Sequence, residues 1–167
     1  MQLKQLDLPG GGLLTVYLRD CVETMPQAME RPLVLVVPGG GYSHLSAREG
    51  DPVALQFAAA GYHTAVLTYS VGEGAQNYRP LRQLNEALTL LRQNAGEWHI
   101  LPDKIAVCGF SAGGHLALSG AVLDIPGETA QQRPNAVILG YPVITAGEFA
   151  HRGSFVQLAG SEDAAAP

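Results

Sequence analysis

The stretch Gly109-Phe110-Ser111-Ala112-Gly113 follows the apolar run Ile105 to Cys108 and leads into Gly114-His115-Leu116-Ala117-Leu118. A strand before it, a helix after it and a serine at the turn make it a candidate nucleophile elbow, in which a tight strand-to-helix reversal lifts the serine hydroxyl above the sheet edge. Glycines flank the serine because a Cβ at Gly109 or Gly113 would run into neighbouring backbone. The G-x-S-x-G pattern also arises by chance in Gly- and Ser-containing chains, so its flanks carry most of the weight. Ser111 is the candidate nucleophile.

Working outward, Leu33-Val34-Leu35-Val36-Val37 is apolar at every position, as expected of a strand covered on both faces by helices. His63 to Tyr69, Lys104 to Cys108 and Ala136 to Leu139 read as further strands. Asp51-Pro52 reads as an N-cap with proline at the first helical position, opening a helix that stops at Gly61. Leu81, Leu84, Leu88, Leu91 and Ala95 recur at spacings of three and four after Pro80, which predicts an amphipathic crossover helix ending near Gly96. Another helix is expected from the elbow to about Leu123, a short one around Phe155 to Leu158, and a frayed end from Ser161 to Pro167. Leu3 to Leu8 and Leu13 to Leu18 alternate about Pro9-Gly10-Gly11-Gly12, an antiparallel hairpin. Strand and helix otherwise alternate, which predicts an α/β fold with a mostly parallel sheet and helices on both faces.

At 167 residues, 47% hydrophobic and 15% charged, the chain suits one domain with a substantial core. A net charge of -5 offers no basic field to a phosphate backbone, which argues against nucleic acid as a partner. No apolar stretch approaches membrane-spanning length, and the N-terminus has no continuous apolar segment of the signal-peptide kind. Two cysteines, Cys21 and Cys108, read as free thiols in a reducing compartment, so a cytoplasmic location is expected. No histidine pair has metal-site spacing, and neither a metal nor an organic cofactor is expected.

Directly after the all-apolar strand stands Pro38-Gly39-Gly40-Gly41-Tyr42, where consecutive glycines let backbone N–H groups face a ligand. No Gly-Lys-Ser/Thr or G-x-G-x-x-G follows, so a nucleotide cradle has little support. With Ser111 downstream, the loop reads as an oxyanion hole, with donors at Gly40, Gly41 and Ala112. Tyr42 and His44 are candidates for the pocket wall, with aromatic packing beneath the loop the competing role for Tyr42 and Tyr69. Arg48, Glu49 and Asp51 read as loop and cap residues, Glu49 completing a capping box from Ser46. These two motifs together resemble the α/β-hydrolase superfamily, in particular its acetyl esterase and lipase group, with Pro38 where that group usually has histidine. Pro38 to Tyr42 followed by Ser46-Ala47-Arg48-Glu49 is similar to an acetylxylan-esterase-like subgroup. The resemblance implies a serine carboxylic-ester hydrolase acting on a small acyl ester, an acetylated sugar among the substrates.

In this superfamily the triad runs Ser, then acid, then His, on loops after later strands. Only one clear strand follows Ser111, so residues 1–167 read as a single, incomplete domain that lacks the C-terminal strands, with the acid and the histidine absent. His115, four residues after Ser111, reads as a packing residue beside the elbow helix. His151 with Glu148, Glu162 or Asp163 satisfies the chain order, but in an irregular tail that does not fix the geometry. Ala136 to Leu139 then becomes an apolar edge, expected to self-associate or to accept a complementing C-terminal fragment. The alternative to an esterase is a non-catalytic remnant that keeps the pocket without its base.

Overall fold

A computed structural model describes residues 1–123, 132–145 and 147–162. Its strands are β1 (Gln2–Asp7), β2 (Leu13–Leu18), β3 (Arg31–Val37), β4 (His63–Thr68), β5 (Ile100–Phe110) and β6 (Ala136–Gly140). Its helices are α1 (Asp51–Ala59), α2 (Arg79–Gln93), α3 (Ala112–Val122) and α4 (Arg152–Ala159). The sheet order is β1-β2-β4-β3-β5-β6. Pairing is antiparallel for β1 with β2 and β2 with β4, and parallel for β4 with β3, β3 with β5 and β5 with β6.

The two-sided burial predicted for β3 follows from its place between β4 and β5. Leu33, Leu35 and Val37 point into a core shared with Leu84, Leu88 and Leu91 of α2 and Leu116 of α3. Val34 and Val36 point to the other face, onto Ala54 of α1 with Val66 and Cys108. The period-2 alternation of one strand thus feeds two apolar layers. Helix α2 presents one leucine stripe inward, as its spacing predicted. The two cysteines are free thiols. No helix among the described residues is long and apolar enough to cross a membrane.

Three local expectations are corrected. Asp51 is the first residue of α1 rather than its N-cap, because the turn Ala47–Glu49 delivers the chain into the helix at Gly50. Its carboxylate instead accepts the Tyr17 hydroxyl at 2.7 Å. Strand β5 begins at Ile100, since an irregularity in the β3 pairing between Arg31 and Leu33 lets Leu101 to Lys104 stay in the strand. The short helix expected around Phe155 is present as α4 but begins at Arg152, so His151 holds its N-cap position instead of lying in an irregular tail. The frayed end expected beyond Ser161 falls, from residue 163 on, outside the described residues, and so does Asp163.

Candidate active site

Ser111 joins β5 to α3 with φ 51° and ψ -118°, a left-handed backbone that costs a non-glycine residue roughly 1–3 kcal/mol. Three backbone bonds hold it there. The Ser111 N–H donates to the Gly140 carbonyl at 3.0 Å, and its own carbonyl accepts from His115 at 3.0 Å and Val143 at 3.1 Å. A Cβ on Gly113 would strike the Val37 and Pro38 carbonyl oxygens, and one on Gly109 the Gly113 carbonyl. The elbow is therefore wedged against the end of β3, where the glycine loop begins.

In that loop, successive peptide carbonyls are each held. The Tyr69 hydroxyl donates to the Pro38 carbonyl at 2.6 Å, the Ser46 N–H to Gly39 at 2.9 Å, and the Ser43 and His44 N–H groups to Gly40 at 3.1 and 3.2 Å. In a trans peptide the N–H points opposite its carbonyl, so holding the Gly39 and Gly40 carbonyls turns the N–H groups of Gly40 and Gly41 away from those partners. Gly40 has φ 128°, and a Cβ there would strike the His44 carbonyl, so this turn admits only glycine. Among the described residues, no hydrogen bond engages the N–H of Gly40, Gly41 or Ala112, or the hydroxyl of Ser111. For Ala112 this is the unpaired N–H of a helix's first turn.

A cleft of about 440 Å³ opens beside the glycine loop and the serine, with Gly40, Gly41, His44, Glu49, Ser111 and His151 on its wall. Tyr42 is not on that wall. Its ring is 1% exposed and packs edge-on against Tyr69 beneath the loop, with its hydroxyl hydrogen-bonded to His115 Nδ1 at 2.8 Å. Burial pushes the hydroxyls of Tyr42 and Tyr69 up, so both stay protonated. His115 packs edge-on against Tyr42 and Phe155, and burial lowers its pKa. It is the packing residue its helical position predicted.

His44 lies at the cleft mouth, its Nδ1 3.0 Å from Ser43 Oγ. His151 reaches the cleft from the start of α4, with Nδ1 2.8 Å from the buried Ser154 hydroxyl. Its Cε1 stands 3.6 Å from where a Gly41 Cβ would be. Glu148 and Glu162 are exposed and line no part of the cleft. His63 lies in the core, where its Nδ1 accepts the Arg19 N–H at 3.0 Å and its Nε2 faces the His99 carbonyl at 3.1 Å. Burial lowers its pKa to about 4.

The residue that sequence reasoning passed over is Glu49. It forms no capping box with Ser46. Its side chain is buried, with Oε2 accepting the Gly39 N–H at 2.8 Å and Oε1 the Tyr141 hydroxyl at 2.6 Å. The available signal was its position just after a glycine loop, but a Ser-x-x-Glu spacing reads equally well as a cap.

A strained serine on a strand-to-helix turn, beside a glycine loop at the ends of two neighbouring parallel strands of a mixed sheet, is the frame of an α/β-hydrolase of the esterase-like group. The family model described as BD-FAE matches residues 20–141, and the chain belongs to that family. It is 33% identical over 140 residues to the acetylxylan esterase of Xylanibacter ruminicola, which covers 83% of this chain and 28% of that protein. Among solved structures it is similar to MGS-M1, an alpha/beta hydrolase enzyme from a Medee basin deep-sea metagenome library. That match has 44% identity and a TM-score of 0.78, covering 89% of this chain and 60% of the other. The carboxylesterase Cest-2923 from Lactobacillus plantarum matches with 32% identity and a TM-score of 0.81, covering 99% and 66%. The chain thus spans about a quarter of the curated esterase's length and about two thirds or less of these solved neighbours.

Proposed function

We propose that Ser111 is the nucleophile of a carboxylic-ester hydrolase acting on a small acyl ester. The observation that carries this reading is the strained Ser111 turn sharing one cleft with Gly40 and Gly41, whose N–H groups, like that of Ala112 beside the serine, have no partner among the described residues. Ser111 Oγ attacks the ester carbonyl and forms a tetrahedral intermediate, whose oxyanion these three donors receive. Each such donor typically contributes about 2.7–4 kcal/mol to the transition state. Collapse expels the alcohol and leaves an acyl-serine, which water then hydrolyses. Ser43, Ser46, Arg48 and Gln157 also line the cleft, and these hydrogen-bonding groups suit a hydroxyl-rich alcohol such as an acetylated sugar. The likeness to an acetylxylan esterase supports the same substrate class.

A base must take the Ser111 proton and return it to the leaving alcohol. Among the described residues no histidine bonds the Ser111 hydroxyl, which favours a second component of the reading. The base and its orienting acid come on a complementing C-terminal segment that pairs with β6, the edge strand of the sheet among the described residues, where Ile138 is 43% exposed. Without that segment the chain is a binding half with a poised serine. A fluorophosphonate probe tests both parts. Labelling that appears or strengthens when a C-terminal segment is added, and disappears in Ser111→Ala, is the expected result. Labelling that survives Ser111→Ala refutes the nucleophile, and full-rate labelling and p-nitrophenyl acetate turnover by the chain alone refute the need for a partner segment.

A further inference from the structure

We propose that Glu49 is a positioning residue for the oxyanion loop, acting through the Gly39 N–H and itself held by Tyr141. The proposal rests on the esterase reading of Ser111 for its consequence, though not for its geometry.

Glu49 is 7% exposed, and its two carboxylate oxygens are engaged separately, one by Gly39 and one by Tyr141. A buried carboxylate is costly, and beside an oxyanion site it also opposes the negative charge that the site must receive. Arg48 does little to neutralise it, because its Nε is 3.9 Å away on a side chain that is 89% exposed. The geometry supplies a role that offsets this cost. The Pro38–Gly39 peptide is clamped at both ends, its carbonyl by the Tyr69 hydroxyl and its N–H by Glu49. It is also the peptide from which the two donor peptides of Gly40 and Gly41 follow.

Gly39 is also where the loop meets the elbow. A Cβ there would lie 2.6 Å from the Phe110 carbonyl oxygen, 2.8 Å from Glu49 Oε2 and 2.9 Å from the Ser111 Cβ. The carboxylate and the nucleophile therefore pack against one α-carbon. Losing the acceptor frees the Gly39 N–H to turn toward water and loosens the peptide that leads into the Gly40 and Gly41 donors, which then rest on the bonds to the Gly39 and Gly40 carbonyls alone. Tyr141 completes the arrangement from across the cleft. Its backbone has φ 36°, a costly conformation for a tyrosine, and its ring is 66% exposed except where the hydroxyl reaches Glu49.

The test compares Glu49→Ala, Glu49→Gln and Tyr141→Phe by p-nitrophenyl acetate kinetics and by the amide resonances of ¹⁵N-glycine-labelled protein. In Glu49→Ala, kcat is expected to fall about 100-fold, the scale of an ångström-sized misplacement. KM should stay within about threefold, the signature of a group that acts in the transition state. The Gly39, Gly40 and Gly41 amides should shift together. Glu49→Gln keeps an oxygen acceptor and should recover most of the loss. Tyr141→Phe should lower kcat about fivefold, the worth of one hydrogen bond. Unmoved glycine amides in Glu49→Ala overturn the proposal, and so does a Glu49→Gln protein as impaired as Glu49→Ala, which would assign the carboxylate a charge role in the chemistry. The kinetics are read with the complementing C-terminal segment added, and the amides without turnover, so the amides still decide the proposal if no protein hydrolyses ester even with that segment, an outcome that sinks the esterase reading alone. If Glu49→Ala does not fold, the exposed Tyr141→Phe and the near-isosteric Glu49→Gln decide it by the same two readouts.

Discussion

The two walls of the cleft are built from different material. The wall carrying Ser111 and the glycine loop grows from β3 and β5, where Leu35, Val36, Val37 and Val107 are all 0% exposed. The opposite wall carries Tyr141, the residue after β6, at 66% exposed, and the chain on either side of it is open, with Ile138 43%, Ile144 65% and Phe149 89% exposed. Close packing on the first wall makes a strained serine and a glycine-only loop affordable, because neighbouring backbone leaves them no alternative. The second wall has no such surroundings, and Glu49 bridges the two through Gly39 and Tyr141.

Substitutions can separate the walls. The largest effect is expected from Gly113→Ala, whose Cβ meets two backbone carbonyls of the β3 end that have nowhere to go. A loss of about 4 kcal/mol or more in urea unfolding, or no soluble protein, is predicted. A well-folded variant would show that the elbow is looser than its packing implies. Leu88→Ala, at a fully buried position on α2, should cost about 3 kcal/mol by the same measurement.

His63 comes next, through pH. Its pKa is lowered by burial to about 4, below the value near 6.5 of an unfolded histidine, so the folded protein binds fewer protons between those values. Stability present above pH 6.5 should therefore be lost as pH falls toward 4, by on the order of 2 kcal/mol. Thermal melts of the parent and of His63→Gln across that range check this, and equal slopes in the two proteins would remove His63 as the cause. On the open wall, Ile138→Lys should change stability by no more than about 0.5 kcal/mol. It should also weaken any self-association or fragment binding measured by sedimentation, and unchanged association would move the docking surface away from β6.

Much of the first wall was legible in the chain. Five successive apolar residues announced β3, the leucine spacing announced α2, and glycines about Ser111 announced an elbow, because each reports a local geometric requirement. Boundaries shifted where a non-local partner intervened, as at β5, whose pairing with Arg31 extends it back to Ile100. Tyr42 was ambiguous between wall and packing because a tyrosine after a glycine loop suits both, and only its contacts with Tyr69 and His115 place it beneath the loop. Glu49 was misassigned because its partners are Gly39, ten residues away, and Tyr141, ninety-two residues away. A cap motif within four residues was the only local pattern available to explain it.

The sequence by itself determined the alternation of strand and helix, the elbow at Ser111 and the glycine loop at Pro38 to Tyr42, since backbone sterics and apolar periodicity are properties of neighbours along the chain. The tertiary structure decided which loop N–H groups are left without a partner among the described residues, that His151 reaches the cleft wall while His115 packs beneath the loop, and that Glu49 holds the Gly39 N–H. Those outcomes depend on hydrogen bonds and packing between segments far apart in sequence, which exist only once the sheet has brought β3, β5 and β6 side by side.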